Sequence, residues 1–367
     1  MTTESRVRSR SFDYARVARY ATLIVLLILF IDYHLRIFQS YVIPTYGNTM
    51  YHVGIERLTL ESGYYPAQEL SYNGGFPNFY VPAYRLLIAS QSLVSGIDVM
   101  LMSGLVTILL SVAVFGIVYS ISRRFAGVSA AIAALFFLTL SPEIAIFTLR
   151  ALPELLGLFT LPLTLFFIVV NKTQAPFRFN RYVILSVVAA ALTALTHQMT
   201  LLTLAAVLSI YVLTQVRNRN ELLKALVPLV ALLSMYGLWQ LYSLHTISIL
   251  GLSQVKYHEG TPVDFFASAN SVGFFERAGL LVLPFAVVGL AWLQRTKTDK
   301  RFLLYSWVVA SLLLTKNDLF GVGIFMDRFL TFFVQSLIIA GGIGAFATLT
   351  YADTLVARLF SKNVDSG

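Results

Sequence analysis

The chain has 367 residues, 57% of them hydrophobic and only 12% charged, with a mean hydropathy of +0.75. So little polar surface cannot coat a soluble fold of this size, which leaves a polytopic membrane protein. The lack of cysteine excludes disulfides, thiolate metal sites and thiol nucleophiles, and the distribution of the +9 net charge argues against nucleic acid as a partner.

Taken in order, basic residues precede the first apolar run and no small-residue cleavage site follows it, so it is expected to stay as a helix. Runs of about 20 residues, enough to cross a bilayer, fall near 18–39, 99–121, 127–147, 153–171, 182–197, 199–216, 222–244, 274–294, 302–322 and 329–350. They predict an all-α protein of about ten transmembrane helices forming one domain over 1–367, with short tails and no separate soluble domain. A scheme of eight helices would merge or drop some of these runs. With the N-terminus cytoplasmic, 19 of the 27 Lys and Arg fall inside and 12 of the 18 Asp and Glu outside, as the positive-inside bias requires. The basic excess is then a topology signal that also meets anionic lipid headgroups. The expected location is the plasma membrane, multi-pass, with both termini cytoplasmic. The runs 182–197 and 199–216 are separated only by His197-Gln-Met, a hairpin tip on the outer side.

Residues 40–98 form the first extracytoplasmic loop. Its segment from Tyr46 to Pro66 is the most polar and aromatic in the chain. A helix from about Asn48 puts Asn48, His52 and Glu56 on one face at every fourth position, with Tyr51, Ile55 and Leu58 facing elsewhere. Gly63 and Pro66 end it. Residues 72–82 are rich in turn formers and aromatics. Ala83 to Val94 reads as a second juxtamembrane helix, closed by Ser95-Gly96, whose apolar face of Leu86, Leu87, Ile88 and Leu93 is interrupted by Arg85, Ser90 and Gln91.

All five histidines, His34, His52, His197, His245 and His258, land on the outer side. They lack metal-ligand spacing, and for each a structural role competes with a functional one. Glu143, Arg150 and Glu154 sit at the outer ends of the third and fourth spans, where charges are costly unless paired or wet. Arg150 and Glu154 have the spacing of an ion pair. Glu143 is expected to be the more exposed carboxylate, fit to bind an acceptor hydroxyl or a metal. Arg328 lies at the outer mouth of the last span, where a guanidinium fork matches phosphate oxygens; a salt bridge to Asp327 or Asp318 is its structural alternative. Asp32 and Arg36 can pair on the first helix. Tyr257, His258, Glu259 and Asp264 are weak candidates for acceptor contacts. No nucleotide-binding loop or metalloprotease motif occurs.

The first loop, with its small turn, aromatic-polar residues and closing Gly-Tyr-Tyr-Pro, resembles that of the GT-C membrane glycosyltransferases, which include the oligosaccharyltransferase catalytic subunits and protein O-mannosyltransferases. The Pro-Glu opening at Pro153-Glu154 is similar to archaeal members, Thr196-His197-Gln-Met-Thr200 to the hairpin tip facing their cavity, and Asp327-Arg328-Phe329 to their Arg-Phe step. The resemblance implies juxtamembrane helices in the first loop, a catalytic Asp where Asn48 stands here, and a hold on the donor phosphate by Arg328.

A sugar moved on the outer face must arrive on a polyprenyl phosphate, and its transfer needs a cavity at the lipid boundary, a cation for the departing phosphate and a carboxylate for the acceptor. Arg328 and Arg150 would supply the cation. Asn48 cannot act as a base, so Glu56 or Glu143 must take over; Tyr51, Glu154 and His197 complete the expected cavity. Donor, acceptor (a glycan, lipid or protein) and membrane lipids are the expected partners, with membrane complex partners left open. No cofactor is required by the residues; a divalent cation, magnesium or manganese, stays an option. Two other readings compete: a catalytically silent lipid-binding or structural subunit, and a transporter or flippase, which would show inverted repeats and mid-membrane charges.

Overall fold

The computed structural model describes residues 14–40, 47–69, 76–78, 80–171, 177–249, 274–298, 300–323 and 325–364. The first-loop elements are α2 (Gly47–Ser62), a two-residue antiparallel ladder of β1 (Gln68–Glu69) with β2 (Phe76–Pro77), and α3 (Ala83–Ser95). They follow α1 (Tyr14–Ser40) and precede α4 (Val99–Leu140), α5 (Pro142–Thr148), α6 (Pro153–Val170), α7 (Arg181–Ala194), α8 (Gln198–Thr214) and α9 (Arg219–Ile249). The last part holds α10 (Phe274–Ala278), α11 (Val282–Arg295), α12 (Arg301–Thr315), a 3-10 turn at Asn317–Phe320, and α13 (Met326–Val364).

Five of these helices, α1, α4, α6, α9 and α13, are long and apolar enough to cross a membrane, and α7, α8, α11 and α12 are shorter apolar helices. The predicted boundaries differ in two places. The second and third runs are the two arms of α4, which turns sharply at Ala126 and Gly127, where the backbone leaves the helix close to the expected break. Gly127 makes this turn with φ +85°, a conformation that favours glycine. The third run stops at Leu140, because Ser141 caps a separate α5 whose first residue is Pro142. The eighth run is broken at Gly279, φ +88°, into α10 and α11. The hairpin tip at His197 stands as expected, in the turn between α7 and α8.

The bundle is assembled around α13, which packs on α4, α11 and α12; residues 329–343 of it are all buried. Close approach is possible because glycine lines the crossings. A Cβ on Gly344 would stand 1.8 Å from the Phe285 carbonyl oxygen, and one on Gly289 would stand 2.0 Å from that of Ala340. Small residues at such crossings let backbones touch where no hydrophobic effect separates helix from lipid.

The second juxtamembrane helix, α3, runs nearly as expected and ends at Gly96 in the left-handed region, φ +70°. Its buried face is a correction. Tyr84, Arg85, Ile88, Ala89 and Ser92 point inward, while Leu86, Leu93 and Val94 are exposed. Apolar residues facing out suit a helix lying against lipid, and the inward turn of Arg85 sets up the site described below.

Gly344→Ala is expected to destabilise the α11–α13 contact, since overpacking costs about 1–3 kcal/mol. Gly116→Ala, where a Cβ meets nothing within 4 Å, should be neutral or gain roughly 0.5–1 kcal/mol from helix propensity. Thermal unfolding in detergent checks this: the midpoint falls in the first variant only.

Candidate functional site

α2 carries the polar face the sequence suggested. Gly63, φ +75°, closes the helix by donating its N–H to the Thr59 carbonyl at 3.0 Å. The inward stripe runs Thr49, His52, Val53, Ile55, Glu56 and Thr59, all buried. Asn48 lies at the edge of that stripe with its side chain exposed. Two details differ from expectation: Ile55 is buried rather than turned away, and Tyr51 is half-buried against the site.

At the centre is Arg85, wholly buried. Its Nε donates to His52 Nδ1 at 3.0 Å, and its Nη1 donates to the Tyr65 hydroxyl at 3.0 Å and Asn78 Oδ1 at 3.3 Å. The guanidinium lies between the rings of Tyr51 and Tyr80, 4.7 and 4.5 Å from their centroids. Asn78 is itself fixed by its side-chain N–H on the Pro66 carbonyl at 2.9 Å. Among the described residues, all acceptors around this cation are neutral, and Nη2 has no partner. Because Arg85 donates to His52 Nδ1, that nitrogen must carry the lone pair, so the imidazole is neutral. Burial, then the charge of Arg85, holds its pKa well below the usual histidine value.

Beside this cluster, Glu154 at the start of α6 forms an ion pair with Arg328 from α13, and its Oε1 is 3.4 Å from His197 Nε2. Among the described residues, Glu154 Oε2 and His197 Nδ1 are buried without hydrogen-bond partners. The Tyr80 ring joins the two groups, 5.2 Å from His52 and 6.2 Å from His197. His52, Arg85, Tyr80, His197, Glu154 and Arg328 therefore gather at one end of the bundle, as predicted for all of them except Arg85 and Tyr80.

Several expectations are corrected. Arg328 pairs with Glu154, not with Asp327 or Asp318; Asp318 binds Lys316 at 3.0 Å. Arg150 and Glu154 do not share a helix face, since α6 begins at Pro153 and Arg150 is half-buried in the turn before it. Glu143 is not the exposed carboxylate but fully buried. It takes both Arg277 nitrogens, Nε at 2.9 Å and Nη2 at 3.0 Å, and the Thr331 hydroxyl at 2.7 Å. Its oxygens are spent joining α5, α10 and α13. The Asp32–Arg36 pair forms at 2.7 Å. His34 is buried on α1 and bonded to the Phe30 carbonyl, and His245 is exposed on α9. Tyr257, His258, Glu259 and Asp264 lie outside the described residues.

Glu56 sits deeper, between α2 and α4, where Oε2 accepts from the Ser103 hydroxyl at 3.0 Å and Oε1 has no partner. Burial pushes its pKa up to about 8, against the opposing pull of Ser103 and Arg85. At neutral pH it holds a proton and is not a base. Among the described residues, no three of His, Asp and Glu converge as a metal would need.

Next to Arg85 runs an apolar groove of about 570 Å³ between the end of α2, α3, α6 and α7. Leu60, Leu87, Leu156 and Leu192 line it, and so does Tyr65, whose hydroxyl receives Arg85. Arg85 was the residue sequence reasoning passed over, although one signal was there: a lone arginine in an apolar juxtamembrane helix.

No family model and no curated protein sequence matches the chain. Solved structures do. The archaeal oligosaccharyltransferase AglB from Archaeoglobus fulgidus, in complex with an inhibitory peptide and a dolichol-phosphate, superposes with a TM-score of 0.64 at 12% identity, over 96% of this chain and 52% of that one. ArnT from Cupriavidus metallidurans bound to undecaprenyl phosphate gives 0.61 at 15% identity, over 90% and 63%. The apo form of the Archaeoglobus enzyme gives 0.62 at 12% identity, over 94% and 52%. The chain thus spans about half to just under two thirds of these proteins, and shares their fold.

The raised pKa of Glu56 fixes a sign for stability. Between the ordinary value of 4.5 and about 8, the unfolded chain loses the Glu56 proton while the folded chain keeps it, so this residue makes stability fall as pH rises through that window and level off above it. Glu56→Gln, which mimics the neutral acid, is expected to flatten that fall and raise the unfolding midpoint at alkaline pH by a few degrees. Parallel pH profiles for both proteins would refute the assignment.

Proposed function

We propose that this chain, which has the GT-C fold, is a membrane glycosyltransferase that moves a sugar from a polyprenyl-phosphate donor to an acceptor at the outer face. The observation that carries the reading is Arg85: a buried guanidinium with, among the described residues, neutral acceptors only and one nitrogen unpartnered, linked through Tyr65 to the lining of an apolar groove. A lone buried charge is costly. A phosphate on an apolar chain supplies the anion for the guanidinium and the hydrocarbon for the groove. AglB and ArnT, the structural neighbours, are described with dolichol-phosphate and undecaprenyl phosphate respectively, which agrees with a ligand of that class.

In the transfer, the bond from the sugar's anomeric carbon to phosphate breaks, a bond to the acceptor oxygen forms, and the acceptor's proton must leave. Arg85 Nη2 meets the departing phosphate, and Arg328, which the sequence assigned to it, lies across the cluster on Glu154. His197 is the base: with its Nε2–H toward Glu154, its Nδ1 lone pair is buried and unpartnered, placed to take the proton. Glu154 orients that ring. Glu143 and Glu56 do not serve as base, the first because its oxygens are bound, the second because it is protonated. Asn48, exposed one turn before His52, sits where the resemblance expects an Asp and is the feature that favours the competing reading, a silent lipid-binding subunit.

The test uses purified protein in nanodiscs with a polyprenyl-phosphate sugar, following release of the lipid phosphate. Arg85→Met is expected to weaken donor binding by roughly tenfold or more, as loss of a charged hydrogen bond does. His197→Ala should lower turnover by about 10²–10⁴ with donor binding kept. Turnover found only in Asn48→Asp would establish the silent reading instead.

A further inference from the structure

At the opposite end of the bundle lies a second cavity, about 520 Å³, between α4, α6, α8, α9 and the α11–α12 turn. Among the described residues that line it, Glu221 is the one carboxylate, and it is already paired. Lys224 donates to it at 2.7 Å and Lys300 forms a second ion pair with it, while the Tyr211 hydroxyl donates at 3.4 Å. Lys224 is almost fully buried and also reaches the Asn171 carbonyl at 3.4 Å. Lys300 takes a left-handed backbone, φ +62°, a conformation an ordinary residue keeps only where its surroundings hold it.

Two arginines share the same walls. Arg124, set at the cavity by the sharp turn of α4 at Ala126–Gly127, is half-buried and makes no hydrogen bond or ion pair among the described residues. Arg301 gives Nε to Gln294 Oε1 at 3.2 Å and a long contact to the Thr298 carbonyl at 3.5 Å, and its guanidinium lies 4.5 Å from the Phe302 ring centroid. Among the described residues, three cations, Arg124, Lys300 and Arg301, thus line the cavity against the Glu221 carboxylate, with Lys224 buried behind it. Such an excess of like charge repels itself unless an anion enters.

We infer that this cavity is a binding site for a phosphate group, separate from the Arg85–Glu154 cluster at the other end. Two guanidinium forks facing one cavity match the several oxygens of a phosphate better than the two of a carboxylate. The phosphate can belong to an anionic lipid headgroup or be free in solution, since the cavity opens at the end of the bundle where the basic loops lie. The site does not depend on sugar transfer, and variants of the Arg85–Glu154 cluster should leave it intact.

The test uses the full chain, by thermal unfolding with inorganic phosphate against chloride at equal ionic strength, and by native mass spectrometry from phosphatidylcholine nanodiscs with and without phosphatidate. Arg124→Gln, which removes no contact among the described residues, and Arg124→Gln with Arg301→Gln are compared with Arg123→Gln with Arg217→Gln, exposed arginines at the same end outside the cavity. The expected result is a phosphate-dependent shift or retained phosphatidate in the wild type and in the exposed control, weakened roughly tenfold in the cavity variants. A response to phosphatidate alone identifies a headgroup, and to inorganic phosphate alone a free anion; both support the site. No response to either, or equal loss in the exposed control, overturns it.

Discussion

The arrangement of the first-loop cluster depends on one interaction: a guanidinium taken out of water without a carboxylate among the described residues to meet it. Desolvating a charge in a protein costs several kcal/mol even after relaxation. Here that cost is offset in part by three neutral acceptors and by two tyrosine faces, each face contributing roughly 0.5–2 kcal/mol. The remainder is a standing preference for an anion. The first-loop elements are built to hold Arg85 in this state: α2 supplies His52 and Tyr51, the turn after it supplies Tyr65, and the loop before α3 supplies Asn78 and Tyr80.

The carboxylates of this end are then sorted by their neighbours. Glu143 is bound at both oxygens by Arg277 and Thr331 and acts as a tether between helices. Glu56, deep against Ser103, is kept neutral by burial. Glu154 is the one that pairs with a second cation, Arg328, and lies beside His197. Three similar side chains thus take three roles, set by environment alone.

Much of this was legible in the chain. Most of the span boundaries, the hairpin tip at His197, the two juxtamembrane helices and the glycine stops at Gly63 and Gly96 follow from hydropathy and local backbone preference, which act over a few residues. What was missed depends on distance in sequence. Arg85 sits 33 residues from His52, and nothing in the helical pattern of α3 says that a lone arginine turns inward. The Glu143–Arg277 bridge spans 134 positions and the Glu154–Arg328 pair 174. Nearest-charge reasoning offered Arg150, Asp318 and Asp327 instead, because sequence proximity was the only guide. The gathering of basic residues at the cavity beside Glu221 could not be seen before the helices were brought together.

The most direct check is a cryo-electron microscopy map of the protein with polyprenyl phosphate. The account predicts phosphate density within hydrogen-bonding distance of Arg85 Nη2, with the prenyl chain entering the groove beside Leu87 and Leu156. Lipid phosphate bound elsewhere, with Arg85 still held only by His52, Tyr65 and Asn78, would contradict it.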